Sequence, residues 1–189
     1  AEVVRAAFGY FKPALLEKMW TSGLERASVA HARNVAEAYL ECAHRFGRHC
    51  FDGIDVTAFN EAASAVIEAA DPAALTLFAG YRSMPVPDDG AARAMHNAVV
   101  LRELRGSVHL AAVAAVGLES AVAHTIRRPD ELALFGLQDE PPVVTDHDRH
   151  ALSEADRLTD STMAGLLAQL DDDSRTALVE TADTLAAAL

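Results

Sequence analysis

Apolar side chains recur at helical spacing along most of this chain. Over residues 24–46, and again over residues 146–170, they stand three or four positions apart with polar residues between them. Spacing of that kind places the apolar residues on one face of an α-helix. The chain is therefore predicted to be all-α, a multi-helix bundle. The same periodicity predicts further helices over residues 2–20, 57–70, 91–105, 107–126 and 174–188.

Proline, glycine and acidic residues mark the predicted helix ends. Pro13 stands where proline is favoured, in the first turn of a helix. Gly47 and Gly106 are predicted to end helices, and Ser107 is predicted to cap the helix that follows. The acidic run at residues 171–173 is predicted to cap the last helix, because aspartate at that position can accept hydrogen bonds from free backbone N–H groups.

The clearest interruption of the helical pattern is the loop at residues 81–90, which contains Pro85 and Pro87. It predicts a boundary between two regions of the chain. Residues 1–80 form an N-terminal helical region, and residues 91–189 form a second region that ends in the C-terminal helices. The alternative is one compact domain.

The segment at residues 136–146 is the candidate for β structure. It contains the run Val143-Val144-Thr145 directly after two prolines. β-branched residues favour extended backbone over helix. We therefore predict a vestigial β-hairpin near residues 136–146.

The charge balance restricts the function. The formal net charge is −12 and the pI is about 5.0, whereas a surface that coats nucleic acid needs clustered positive charge. No apolar run reaches the ~18 residues of a membrane span, so no membrane partner is expected. Two cysteines are too few for a secreted disulfide framework, and we expect a cytoplasmic protein. Ala1 already lies inside a helical pattern, so we expect residues upstream of it.

Arg102, Arg105 and His109 are the strongest candidates for a binding site. The two arginines lie on neighbouring faces of one predicted helix. If Gly106 turns the chain, His109 falls in the first turn of the next helix, where free N–H groups and the helix dipole favour anions. Two guanidinium groups beside a helix N-terminus suit a carboxylate or phosphate. The alternative is that carboxylates of the protein pair with the arginines and that His109 is a satisfied core residue.

His96 and Glu103 complete the predicted ligand-binding set. They are seven residues apart and so share a helix face. A histidine and a glutamate can together serve acid–base chemistry or hold a metal. Along the helix axis they are ~10 Å apart, too far for a direct hydrogen bond. We therefore assign no catalytic residue.

The densest group of soft metal ligands is Cys42, His44, His49 and Cys50. On a straight helix the two cysteines would be ~12 Å apart, too far for a disulfide. Zinc needs four ligands that converge, and the spacing of these residues matches no zinc pattern. We predict no metal and no cofactor.

Three segments resemble the SalK-like helix-turn-helix family of high-GC bacteria. The most specific is Leu101-Arg-Glu-Leu-Arg-Gly-Ser-Val-His109, preceded by His96 and by Pro85-Val-Pro-Asp88. Residues 3–20, with a Phe-x-Pro-Ala-Leu core, also resemble that family. Residues 154–160 resemble the helix that follows the wing in the related MarR-type regulators. In this chain, the region that should hold the recognition helix is compressed into residues 127–137.

The resemblance implies helix-turn-helix ancestry, a winged-helix origin for the hairpin, binding of DNA, and a homodimer formed through the C-terminal helices at residues 146–170 and 174–188. Those two helices carry apolar residues on more than one face, which also favours a dimer. The apolar residues are Leu158, Met163, Leu166, Leu178 and Leu185.

The favoured function is that of a non-enzymatic protein that binds a small anionic ligand between the helices at residues 91–105 and 107–126. Although DNA binding follows from the resemblance, the acidity and the few cations at residues 127–137 argue against it. The alternative is a small helical enzyme that acts on an anionic substrate through its histidine, arginine and glutamate residues. A third interpretation is a structural or partner-binding module.

Overall fold

The computed structural model describes residues 2–26 and 32–189. These residues form α-helices joined by turns and loops, with no strand among them, so the predicted all-α class is confirmed. Part of the helix predicted over residues 24–46, namely residues 27–31, lies outside the described residues. The helices are α1 (Glu2–Ala7), α2 (Pro13–Arg26), α3 (Ala32–Cys50), α4 (Thr57–Ala69), α5 (Thr76–Arg82), α6 (Gly90–Ala115), α7 (Ser120–Arg127), a short 3-10 helix (Pro129–Glu131), α8 (Asp146–Leu167) and α9 (Asp172–Ala187).

The chain divides into two compact units, each made of two separate stretches. The first unit contains Ala1–His31 and Ser107–Asp160, and the second contains Ala32–Gly106 and Ser161–Leu189. The loop predicted at residues 81–90 lies within the second unit.

The core of the second unit forms where α4 packs against α9. Phe59 and Ala63 of α4 are buried with Leu178 and Leu185 of α9, and Phe51 closes the same cluster. Burial of such side chains is the main stabilising contribution to a fold of this kind. Leu178 and Leu185, which supported the predicted dimer contact, are thus used within the chain. The dimer itself stays a prediction.

The core of the first unit joins the C-terminal part of α6 to α7 and α8. It contains Val113 of α6, Val122 of α7, and Leu152 and Ala155 of α8. Leu118, in the turn between α6 and α7, is buried in the same cluster. One apolar face of each helix is therefore fixed, and this sets which polar residues reach the surface.

Three sequence predictions about breaks in the chain are wrong. Gly106 does not end a helix, because α6 is continuous from Gly90 to Ala115. An exposed glycine inside a helix costs about 1 kcal/mol relative to alanine, which the rest of a long helix can tolerate. The helix predicted over residues 107–126 is instead interrupted at Gly117, whose φ of +72° is the left-handed conformation that glycine adopts most easily. Gly47 also lies inside a helix, α3.

Gly47 has a packing role in place of the predicted terminating one. A Cβ atom at this position would lie 2.5 Å from Cβ of Met95 and 3.1 Å from the carbonyl oxygen of Ala91. Both residues belong to α6, so the missing side chain lets α3 approach α6 closely.

The predicted hairpin at residues 136–146 is also wrong, since the described residues there form turns and unpaired extended backbone. Pro141 and Pro142 have no N–H group to donate to a neighbouring strand. Val143 is 85% exposed, and Val144 packs against the helical core of the first unit without pairing with another strand.

Two predicted helix starts are confirmed. Pro13 is the first residue of α2. The side chain of Asp171 caps α9 by accepting a hydrogen bond from the backbone N–H of Ser174.

No single helix within the described ranges is both long enough and apolar enough to cross a membrane. Only α6 and α7 taken together meet those criteria, and they are bent by 118° relative to each other.

Candidate functional site

The second unit contains a cavity of about 610 Å³ between α3 and the segment at residues 85–89. Pro85 and Pro87 keep this segment out of a helix, and Arg93 holds it in place by donating from Nε to the carbonyl oxygen of Pro87 at 3.0 Å. The polar lining of the cavity consists of Glu37, Glu41, His44, Arg48, Asp88 and Asp89.

Arg48 connects the two walls of the cavity. Its guanidinium group lies 2.8 Å from Oε1 of Glu41 on α3 and 3.0 Å from Oδ2 of Asp89 on the opposite wall. The hydrogen bond from Arg48 is the main reason that the pKa of Glu41 is lowered. The pKa of Asp89 is lowered chiefly because its side chain accepts from the backbone N–H of Ala92, where it caps α6, and then because of Arg48.

A chain of three titratable side chains leads from the cavity into the protein. Nδ1 of His44 is 3.5 Å from Oε2 of Glu41, and Nε2 of His44 is 3.2 Å from Nδ1 of His96. His44 is 6% exposed and His96 is 2% exposed. The chain is satisfied when His44 donates from Nδ1 to Glu41 and accepts at Nε2 from His96. Burial, and then the neighbouring His44, lowers the pKa of His96 to about 4, so this ring is neutral at physiological pH.

A second buried polar contact fixes the start of α6 near His96. The side-chain amide of Asn97 donates to Oδ1 of Asn60 at 3.0 Å, and the amide of Asn60 donates to the carbonyl oxygen of Gly90 at 3.0 Å. Buried polar groups of this kind are costly unless they are paired, and here they pair with each other across α4 and α6.

A smaller cavity of about 300 Å³ lies on another face of α3, and Leu40 contributes to the lining of both. Tyr39, Tyr81 and Met84 give it a mainly apolar wall. The pKa of Tyr81 is raised, mainly because burial disfavours the phenolate. This cavity therefore suits the apolar part of a ligand better than a charged group.

In the first unit, α6 and α7 are joined by the four-residue turn at residues 116–119 and lie at 118°. The backbone N–H of Leu118 bonds to the carbonyl oxygen of Val113, and the N–H of Gly117 bonds to that of Ala114. These two bonds are the Schellman arrangement that ends a helix at a left-handed glycine. Two helices at 90–120° joined by a short glycine-containing turn have the geometry of a helix-turn-helix motif.

The cations at the end of α7 are paired with carboxylates of the same unit. Arg127 forms an ion pair with Asp156 of α8. Nη1 of Arg128 lies 2.9 Å from both carboxylate oxygens of Glu131. His124 is stacked on Tyr10 with ring centroids 5.0 Å apart, and its pKa is lowered, mainly by burial.

The predicted ligand-binding residues of α6 have separate local partners. Arg102, whose side chain is 80% exposed, pairs with the neighbouring Glu103, and Arg105 is also exposed. In the first unit, Nδ1 of His109 is 3.1 Å from Oγ1 of Thr159. None of the predicted ligand-binding residues lines either cavity described above. A shared pocket of Arg102, Arg105 and His109 stays a prediction.

The residue that links His96 to a cavity is His44, which the sequence suggested only as a member of the cysteine and histidine group. The two histidines are 52 residues apart, so no spacing rule connects them. Cys42 and Cys50 are free thiols. Within residues 2–26 and 32–189, no three histidine, cysteine, aspartate or glutamate side chains are arranged to hold a metal ion.

Residues 1–133 of the chain match a helix-turn-helix family. The chain belongs to this family. The matched range includes α6, the turn at residues 116–119 and α7, which have the geometry that the family name describes. No curated protein and no solved structure matches the chain.

Proposed function

We propose that this protein is a regulator-like, non-enzymatic helix-turn-helix protein that binds a small molecule in the 610 Å³ cavity of the second unit. The observation that carries the proposal is the cavity itself, which falls within the 300–1,000 Å³ typical of small-molecule sites. One lining residue is the buried His44, which is held between Glu41 and His96 and therefore has a fixed orientation. A fixed buried polar group in the wall of a cavity can select a ligand by hydrogen bonding.

The charge of the cavity favours a ligand that carries hydrogen-bond donors or positive charge. Four carboxylates line it (Glu37, Glu41, Asp88, Asp89), together with the single cation Arg48. Arg48 already contacts two of these carboxylates, and a further anion would be repelled. The anionic ligand predicted from Arg102, Arg105 and His109 would therefore need a different location on the protein.

The cavity wall is connected through the chain to the turn between α6 and α7. Asp89, which pairs with Arg48 in the cavity, caps α6 through the N–H of Ala92. α6 is then continuous to Ala115, directly before the turn. A ligand that displaces Asp89 from Arg48 would therefore act on the first turn of this helix.

Finer assignments belong to the same proposal. We place the chain in the SalK-like branch of helix-turn-helix proteins, on the resemblance of residues 85–88 and 101–109, and expect a cytoplasmic location.

We also propose a homodimer through α8 and α9, supported by the exposed Val179 and by the partly exposed Met163 and Leu166. Light scattering at tens of micromolar protein should give the mass of a dimer, and a monomer there would contradict this part.

The alternative of a helical enzyme has one supporting observation. Glu41, His44 and His96 form a carboxylate–histidine–histidine chain that opens on a cavity, and such a chain can take up a proton from a substrate. Incubation of a bound small molecule with the protein separates the two functions. A regulator returns the molecule unchanged in mass, whereas an enzyme converts it.

The test of the proposal blocks the cavity. Ala38 is an exposed cavity-lining residue of α3, and Ala38→Trp would fill the opening. Asn34→Trp adds the same side chain to an exposed position of α3 that lines neither cavity. Thermal shifts are measured with a panel of small amines and a panel of matching carboxylates.

We expect at least one amine to raise the melting temperature of the wild type and of Asn34→Trp but not of Ala38→Trp. Equal shifts in all three proteins would contradict binding in this cavity. Shifts that come only from carboxylates and disappear in Arg105→Ala would instead favour the site predicted at Arg102, Arg105 and His109.

A further inference from the structure

We propose that the ion pair between Arg127 and Asp156 is an autoinhibitory contact that withholds Arg127 from the phosphate backbone of a nucleic acid. The inference concerns the first unit only. It goes beyond the proposed ligand cavity, and its test uses no small molecule.

The position of Arg127 is that of a phosphate-contacting residue. It is the last residue of α7, the second helix of the helix-turn-helix geometry, and its side chain is 49% exposed. In helix-turn-helix proteins the second helix enters the major groove, and arginines at its margins can reach backbone phosphates. An unpaired guanidinium group at this position would add to the affinity for any duplex, whatever its sequence.

The packing of α8 fixes Asp156 opposite Arg127. Leu152, Ala155 and Thr159 of α8 are all buried, so the rotation of the helix about its axis is set. Asp156 follows Ala155 directly, and its side chain is 30% exposed. The carboxylate is therefore held at the edge of the core of the first unit, where it pairs with Arg127.

His109 also lies close to the carboxylate of Asp156. Nδ1 of His109 lies 3.8 Å from Oδ1 of Asp156 and 3.1 Å from Oγ1 of Thr159. The hydroxyl of Thr159 donates to the carbonyl oxygen of Ala155, so it accepts the proton of His109 Nδ1. His109 thus binds Thr159 and leaves Asp156 to Arg127, whose positive charge is permanent.

The rest of the α7 surface offers no compensating cation. Arg128 is paired with Glu131, three residues further along the chain. Over residues 119–131, two arginines (Arg127, Arg128) stand against three carboxylates (Glu119, Asp130, Glu131), a formal charge of −1. Asp156 lowers the local charge to −2. The surface around α7 therefore carries a net negative charge, which disfavours the approach of a polyanion.

The contact can be released because exposed ion pairs are weak and are screened by salt. Removal of the charge of Asp156 should make Arg127 available for one additional phosphate contact. Each such contact steepens the slope of log K against log salt concentration by about 0.9. Between 50 and 200 mM salt, that slope corresponds to an additional loss of affinity of about threefold.

The experiment compares Asp156→Asn with Glu154→Gln. Both substitutions remove one negative charge from α8, but Glu154 pairs with Arg157 and not with α7. Binding to a fluorescein-labelled duplex of arbitrary sequence is measured by anisotropy from 50 to 200 mM salt. We expect Asp156→Asn to bind at least about threefold tighter than Glu154→Gln at 50 mM, with a slope steeper by about 0.9.

Two further variants keep the test valid if Asp156→Asn loses stability. Arg127→Ala in the wild-type background should leave DNA affinity unchanged, because Arg127 is withheld there. In the Asp156→Asn background, the same change should remove the whole gain. Equal gains for Asp156→Asn and Glu154→Gln, or a loss of affinity for Arg127→Ala alone, would overturn the inference. So would the absence of any binding by Asp156→Asn at 50 mM salt, although the proposed cavity would be unaffected by that result.

Discussion

The two units of this protein use their charged and polar side chains in different ways. In the second unit, four polar side chains are buried and hydrogen-bonded (His44, His96, Asn60, Asn97), and His44 also lines a cavity. In the first unit, the cations of the helix-turn-helix geometry lie at the surface, and carboxylates neutralise them. The polar groups named in the second unit therefore pair inside the protein, one of them at the wall of a cavity, whereas the cations at the end of α7 in the first unit pair at the surface.

The residues that form the helix-turn-helix skeleton are different from the charged residues that could contact DNA. Gly117, the buried Leu118 and the apolar faces of α6, α7 and α8 are sufficient to form the skeleton. None of these features contributes a phosphate or base contact. Membership of the family accordingly establishes the architecture, while a function has to be argued from the side chains of each site.

The largest expected effect concerns His96 in the second unit. Its folded pKa of about 4 lies below the unfolded value of about 6.5, so only the unfolded chain binds a proton between these values. Stability is fully present above pH 6.5 and is lost as the pH falls towards 4, by about 3 kcal/mol. Urea unfolding followed by circular dichroism at pH 7 and pH 4.5 measures this loss.

The matched variants separate the contribution of His96 from that of the carboxylates, because protonation of carboxylates also lowers the stability of the protein at low pH. His96→Gln should reduce the difference between the two pH values by most of this amount, whereas His147→Gln, at an exposed position of α8, should behave as the wild type. An unchanged pH dependence in His96→Gln would show that the histidine is not held neutral in the second unit.

The next effect tests the other buried contact of the second unit. Asn60→Ala removes the side-chain acceptor of the buried amide of Asn97, and also the amide that donates to the carbonyl oxygen of Gly90. We expect a loss of about 2 kcal/mol in the free energy of unfolding. Asn34→Ala, at an exposed position of α3, should change it by less than about 0.5 kcal/mol. Similar losses for both would mean that Asn60 has no structural role.

The smallest stability effects compare two glycines of the first and second units. Gly117→Ala should destabilise the protein by about 1 kcal/mol, because its φ of +72° is unfavourable for a residue with a Cβ atom. Gly106→Ala should stabilise it by about 0.5–1 kcal/mol, because a Cβ atom there meets nothing within 4 Å and alanine favours the helix. Thermal unfolding of both variants measures the opposite signs. Destabilisation by Gly106→Ala would contradict the continuity of α6 at this residue.

The same two glycines show how far the sequence predicts the fold. Helical periodicity locates nearly all of the helices, and Pro13 and Asp171 mark two helix starts correctly. Periodicity does not distinguish a glycine that a long helix tolerates from one that ends it. The signal at Gly117 is local: a glycine followed by an apolar residue that can be buried and then by Glu119 and Ser120, at the start of another helix.

The candidate site is less predictable because its contacts join distant parts of the chain. The sequence predicts His96 as a ligand-binding residue from its place on one helix, but its hydrogen-bond partner His44 lies on α3. His109 likewise finds Thr159 on α8, and Arg127 finds Asp156 there. The packing of helices determines these pairs, and no spacing along a single helix indicates them.

We propose that the first unit has the helix-turn-helix skeleton without a DNA-reading surface. Selection from a pool of random-sequence duplexes at physiological salt tests it most directly, followed by measurement of the affinity for the selected pool. We expect the wild-type protein to enrich no sequence and to bind the pool with a Kd in the micromolar range or weaker, as non-specific contacts do. Enrichment of a defined sequence bound at nanomolar Kd would contradict it.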